Sequence, residues 1–287
     1  MPNIPAHLPT AFDLIEAQQT PRLPLVPGPW RPLPDDCRQE LFARLLDEET
    51  GSGLPPHTCW SQMFVTALPF WPGHALVQAT CRATSRSEGL IDLVVGQDRA
   101  LVLNGESPVI HTLNRQFEDC GPLPIAATHS EDTLCSYWRL FNNGIRGESG
   151  RFRVVERADD LLALGARAVP PSLSASLITP YVELTRADHR RRAGDIVARV
   201  KATIVYGGTL FLASYWVHRS GMVEMQDDDP LGSDVVPAER WLDPLRHIVG
   251  RSASGGRSSS KDARGHARAP AIQLLTSAAR GDDVELH

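Results

Sequence analysis

The sequence predicts an α+β fold carried mainly by antiparallel sheet, built from two β-meanders with a few packed helices. Residues 60–115 and residues 199–226 each show short apolar or alternating runs separated by tight-turn residues, the pattern of consecutive hairpins. Between them, residues 131–143 place apolar side chains at helical spacing. Strands grouped in runs with a segregated helix belong to the α+β class.

The 199–226 meander is the most strongly patterned stretch. Val200, Ala202, Ile204 and Tyr206 alternate with Arg199, Lys201 and Thr203, which marks a strand with one buried face. Gly207-Gly208 supplies two residues free to take positive φ, as a type I′ turn requires. Residues 209–218 are largely apolar on both faces, which predicts a strand covered on both sides in the middle of a sheet. Ser220-Gly221 turns the chain into residues 222–226, and Asp227-Asp228-Asp229-Pro230 is expected to end that third strand.

The other elements follow in order. Nine prolines from Pro2 to Pro34 predict an arm over 1–34 that is disordered or loosely docked, with residues 23–26 and Trp30 available to pack. Residues 36–48 read as an amphipathic helix with Leu41, Phe42, Leu45 and Leu46 on one face. Strands are predicted over 75–82, 90–95 and 100–103, with Asn104-Gly105 turning into a further strand over 108–113. Ser130 as N-cap and Gly144 as C′ bracket the helix 131–143, whose stripe is Leu134, Tyr137, Trp138 and Phe141. Then come a strand over 151–156, a short helix over 159–164, a loop over 170–176, an edge strand over 181–184, and two short helical pieces, 237–242 and 243–249. Residues 251–287 read as a flexible Ser/Gly/Arg-rich linker and tail. The body is thus 35–250, with 35–125 and 126–250 as its two possible lobes.

Composition narrows the function classes. Of 287 residues, 29 are Lys or Arg and 34 Asp or Glu, a formal net charge of −5, which argues against nucleic acid or an anionic membrane as the main partner. Only Lys201 and Lys261 are lysines, a bias that fits a GC-rich bacterial genome. Cys37, Cys59, Cys81, Cys120 and Cys135 show no metal-ligand spacing and no leader precedes them, so reduced thiols in the cytoplasm are expected. No apolar run approaches the roughly 20 residues of a membrane span. No cofactor or metal is expected.

No segment carries a specific catalytic or binding motif, so candidate chemistry rests on local constellations. His218 at the end of the second meander strand has Glu224 on the next strand, and a His–carboxylate pair there suits acid–base work; the plainer reading is a cross-strand polar pair. With His111 and Asp92 they form the candidate catalytic set. The 103–115 segment gathers Asn104, Glu106, His111, Asn114 and Arg115, of which Asn104, Asn114 and Arg115 are ligand-binding candidates. Asp227–Asp229 would suit a hard cation, but neighbouring strand residues point to opposite faces. Cys135 with His129, and the arginine cluster from Arg186 to Arg192, are better read as a buried thiol and a solvated turn.

Two functions are consistent with these features. One is a cytoplasmic binding or adaptor module whose terminal arms engage a protein partner. The other is a small-molecule enzyme with a His/carboxylate pocket over the sheet. They separate on whether His111 and His218 open into one pocket.

Overall fold

The computed structural model describes residues 21, 23–35, 37–39, 41, 60–84, 87–96, 100–118, 130–184, 196–237 and 247–250. The chain divides into two compact units, Met1–Gly250 and Arg251–His287, and every described residue belongs to the first. The linker and tail, the first 20 residues, the Arg186–Arg192 cluster, His129 and most of the 36–48 helix lie outside the described residues; residues 35, 37–39 and 41 are helical.

The fold is α+β with antiparallel sheets. In chain order the elements are β1 (Arg31–Pro32), β2 (Trp60–Ala67), β3 (Ala75–Thr84), β4 (Ser87–Val95), β5 (Ala100–Val102), α1 (Ser107–Glu118) and α2 (Glu131–Gly144). They continue with β6 (Arg146–Gly147), β7 (Gly150–Arg151), β8 (Arg153–Val154), α3 (Ala158–Ala163), α4 (Pro171–Ser176), β9 (Tyr181–Leu184), β10 (Ile196–Tyr206), β11 (Thr209–His218), β12 (Val223–Gly232) and β13 (His247–Gly250). One sheet runs β1-β2-β3-β4-β13, with β5 also on β4; a second runs β12-β11-β10-β8, with β9 also on β10; β6 and β7 form a third, two-stranded sheet.

Both meanders form, and Gly207 and Gly208 take φ of 58° and 84° at the β10–β11 turn, the left-handed pair that a type I′ turn needs. The two larger sheets share one core with α1 and α2. The inner faces contribute Phe64, Leu76 and Val94 from one sheet and Val200, Ile204, Ala213 and Val217 from the other to a single cluster. The predicted α2 stripe of Leu134, Tyr137, Trp138 and Phe141 fills its centre. A second cluster on the far face of the first sheet holds Met63, Val77, Ile91 and Leu93 against Leu41. A third lies where α3 and α4 cover one end of the second sheet, around Leu161, Val205 and Leu210.

Residues 23–32 of the Pro-rich segment pack as a strap. Leu25, Val26 and Trp30 are buried in the main cluster, and side-chain amides hold the strap's carbonyls. Asn143 Nδ2 donates to Leu25 O at 2.8 Å and Gln78 Nε2 to Leu23 O at 3.2 Å. Extended proline-rich backbone has no internal hydrogen bonds, so its buried carbonyls depend on such donors.

Several expectations are corrected. Residues 108–113 belong to helix α1, not to a strand: Asn104 Oδ1 accepts from Glu106 N at 3.0 Å, turning the chain into a helix whose second residue is Pro108. Proline in a first turn loses no hydrogen bond, and Ile110, Leu113 and Asn114 then share the buried side. Pro171 does the same for α4, in the predicted loop. The helix α2 runs through Gly144 and is capped by Ile145, so Gly144 is not its left-handed terminator. Strand β12 does not stop at Gln226: it continues through the three aspartates to Gly232. It is the outermost strand of its sheet, where Pro230 costs no ladder bond. Strand β11 is interior, but Leu212, Ser214 and Trp216 on its outer face are only half-buried. Finally, His247–Gly250 pairs with β4 as a strand, where the end of a helical piece was expected; residues 238–246 lie outside the described residues.

Candidate functional site

The sequence-predicted candidates fall into separate environments. His218 and Glu224 do meet, with Nε2 and Oε2 at 3.3 Å, because β11 and β12 put Glu224 opposite Trp216 near the turn. His111 lies on α1 against the ring of Phe141, centroids 5.8 Å apart. Burial, and then the nearby Arg115 charge, hold its imidazole below the ordinary value, so it is neutral at pH 7. Asp92 is buried in the first sheet and accepts from its cross-strand neighbour Gln78 at 3.0 Å.

The ligand candidates are engaged in structure. Asn104 forms the turn before α1, with Nδ2 also donating to Glu106. Asn114 is buried and uses both ends of its amide: Trp71 Nε1 donates to Oδ1 at 3.1 Å, and Nδ2 donates to Tyr137 Oη at 2.7 Å. Tyr137 Oη in turn donates to the carbonyl of Gly221. This relay ties the β2–β3 loop, α1, α2 and the β11–β12 turn together. Burial pushes the Tyr137 phenol well up, so it remains a donor at any working pH. Arg115 is exposed on the outside of α1.

The aspartate run is divided by a β-bulge. Tyr215 pairs with Met225 and Ser214 with Asp227, so Gln226 is the extra residue and face alternation restarts after it. Asp227 and Asp229 then lie opposite the outer-face Ser214 and Leu212, and Asp228 opposite the buried Ala213. Burial, and then repulsion from Asp227 and Asp229, raise the Asp228 carboxyl. A carboxylate raised above its unfolded value costs stability once ionised; that cost grows as pH rises through the folded-state value and is gone below the unfolded one. Asp228→Asn is therefore expected to raise Tm slightly at pH 7, with the gain fading towards about pH 4, as melting curves across that range would show. Among the described residues, no group of three His, Cys, Asp or Glu side chains is placed to hold a metal ion.

A cleft of about 300 Å³ opens between the strap and the body, at the lower end of ligand-site volumes. Leu23, Pro24, Leu25, Val26 and Pro27 form one wall. Arg139 from α2 and the 153–164 segment, with Arg153, Glu156, Arg157 and Asp160, form the other. Arg139 is ion-paired with Glu156 and its Nε lies 3.4 Å from Cys135 Sγ. Burial works against its charge, but the bonds to Glu156 and Cys135 more than offset that. Asp160 Oδ2 accepts from the backbone N–H of both Glu156 and Arg157 at 2.9 Å, fixing the turn into α3. Leu23 takes φ of +55°, a left-handed conformation that β-carbon sterics disfavour and that persists only where surroundings enforce it.

None of His111, His218, Glu224 or Asp92 lines this cleft. Its residues escaped the sequence reading because they come from two distant stretches with ordinary local roles; the one available signal was charge density over 151–160. No helix among the described residues is long and apolar enough to cross a membrane. None of the protein-family models, curated proteins or solved structures compared with this chain matches it.

Proposed function

We propose that this protein is a cytoplasmic, non-catalytic binding module whose ligand occupies the cleft beneath the strap. One observation carries the reading: the cleft walls bring three arginines, Arg139, Arg153 and Arg157, against two carboxylates, Glu156 and Asp160. Arg139 is ion-paired with Glu156 and Arg157 lies 3.7 Å from Asp160; the exposed Arg157 offers a cation that a small anion can reach. The carboxylates have structural work, Glu156 with Arg139 and Asp160 at the α3 turn, which leaves neither poised as a general base.

The test is a thermal-shift panel of small anions, including phosphate, citrate and aliphatic and aromatic carboxylates, on the full chain. Arg157 is the variant of choice because its side chain is 76% exposed; it lies 3.7 Å from Asp160, so each variant's own ligand-free melting curve is the baseline. An anion that raises the wild-type Tm by several degrees is expected to lose at least 10-fold in affinity in Arg157→Glu, since a cation becomes a repelling charge. If no anion in the panel binds, the reading fails. The enzyme alternative keeps one supporting feature, the His218–Glu224 contact, and would displace this reading if a turnover were found that His218→Ala abolishes and Arg157→Glu leaves alone.

A further inference from the structure

We infer that the open outer face of the second sheet is the contact surface of a two-fold dimer of this chain. Two register rows cross that face. In one, Arg199 on β10, Trp216 on β11 and Glu224 on β12 lie side by side; in the next, Lys201, Ser214 and Asp227 do. Each row thus reads cation, neutral residue, carboxylate. Beyond them the face closes: Thr203 is buried and bonded to the 155 and 178 backbone, and α3 and α4 cover Val205 and Leu210. Arg199, Lys201 and Asp227 are exposed, while Trp216 and Ser214 are half-buried. Glu224 contacts His218 but its side chain is still 40% exposed. Lys201 has Tyr181 and Ser214 directly opposite it, so neither adjacent strand offers it a carboxylate in its own row. None of these residues lines the cleft.

The charge order of the rows selects a second copy as the partner. A two-fold axis running along β11 in the contact plane turns the face over, keeps each row in place and exchanges its ends. Arg199 then lies over the second copy's Glu224, and Lys201 over the second copy's Asp227. Symmetry makes each pair twice. Trp216 and the half-buried Leu212 of β11, nearest the axis, cover their own counterparts. An aromatic centre inside a charged rim is the ordinary anatomy of a protein interface. The strands of the two copies remain aligned, as in face-to-face sheets, whose twist sets an angle of about 30°. Pairing through β12, the outermost strand, is disfavoured instead. It would bring two runs of Asp227, Asp228 and Asp229 together, and charged side chains along an edge oppose edge-to-edge association.

Sedimentation of the full chain over a concentration series is expected to show a monomer–dimer equilibrium that weakens as salt is raised. Lys201→Glu and Asp227→Lys should each weaken self-association at least 10-fold, because each sets like charges against one another at two symmetric points. Both substitutions replace exposed side chains, and far-UV spectra matching the wild type verify that each variant is folded. Mixing the two variants should restore the dimer. In the mixed pair the two reversed charges attract each other and the two native ones still meet. A wild-type chain that stays monomeric at every concentration overturns the proposal and leaves the binding reading of the cleft untouched. A dimer that both single variants leave intact forms through another surface and overturns it equally. Two monomeric variants whose mixture also stays monomeric overturn the two-fold register.

Discussion

Gly221→Ala is expected to destabilise the protein by about 3–4 kcal/mol, or roughly 10 °C in Tm for a body of this size. Two costs combine. Gly221 has φ of +80°, and a Cβ there would lie 2.3 Å from Asn114 Nδ2 and 2.7 Å from the Tyr137 hydroxyl. The first cost is the left-handed backbone, about 1 kcal/mol for a side chain with a β-carbon. The second is displacement of the relay. Its donors and acceptors are buried, and each one left unpaired costs about 1–3 kcal/mol. Neither Asn114 nor Tyr137 can retreat: Trp71 holds the first, and Tyr137 is wedged edge-on against Phe70 and Trp71 at centroid distances of 5.3 and 6.2 Å. Gly73→Ala separates the two costs, because Gly73 has a similar φ of +76° with nothing within 4 Å of its added Cβ. Urea unfolding should give about 1 kcal/mol for Gly73→Ala and at least 2 kcal/mol more for Gly221→Ala. Equal losses at the two sites would mean that the relay contributes little to stability.

That relay also shows which part of the molecule could be read from residues alone. Glycine pairs, alternation and the α2 stripe have local causes, so the β10–β11–β12 meander and the central helix follow directly from sequence periodicity. The 103–115 segment failed for a local reason as well. Asn-Gly followed by Ser-Pro fits a hairpin or a helix entry equally, and the choice falls to Ile110 and Leu113, which meet the core only on a helix. The site is a different matter. Asn143 reads as an unremarkable polar residue ending a helix, yet it reaches a carbonyl 118 positions earlier in the chain. The strap's docking and the cleft beside it depend on such long-range pairings, for which one sequence offers no periodicity. His218 and Glu224 were accessible because one tight turn separates them, and turn geometry fixes register over that distance.

Asn143→Ala tests the strap at its anchor. The Asn143 side chain serves two backbone groups, donating to Leu25 O and accepting from Val154 N, each at 2.8 Å. It is 7% exposed, so water does not replace it cheaply. Leaving two buried backbone groups unpaired costs about 3–4 kcal/mol together. The loss should divide unequally over the molecule. Leu25 O lies in a part of the strap outside any helix or strand, and such segments open locally at lower cost than core strands. Thermolysin cleavage at the Leu25 and Val26 amides is therefore expected to accelerate by on the order of 100-fold, as the open population rises with the lost strap contacts. Global unfolding in urea should fall by less than the full amount, because Val154 is repositioned within a short strand while the β10–β11–β12 ladder stays intact. Asn143→Asp divides the anchor further: it retains an acceptor for Val154 N, removes the donor to Leu25 O, and sets a carboxylate against that carbonyl. Strap cleavage in Asn143→Asp should match or exceed that in Asn143→Ala. A strap that stays resistant in both variants would show that burial of Leu25, Val26 and Trp30 alone keeps it docked.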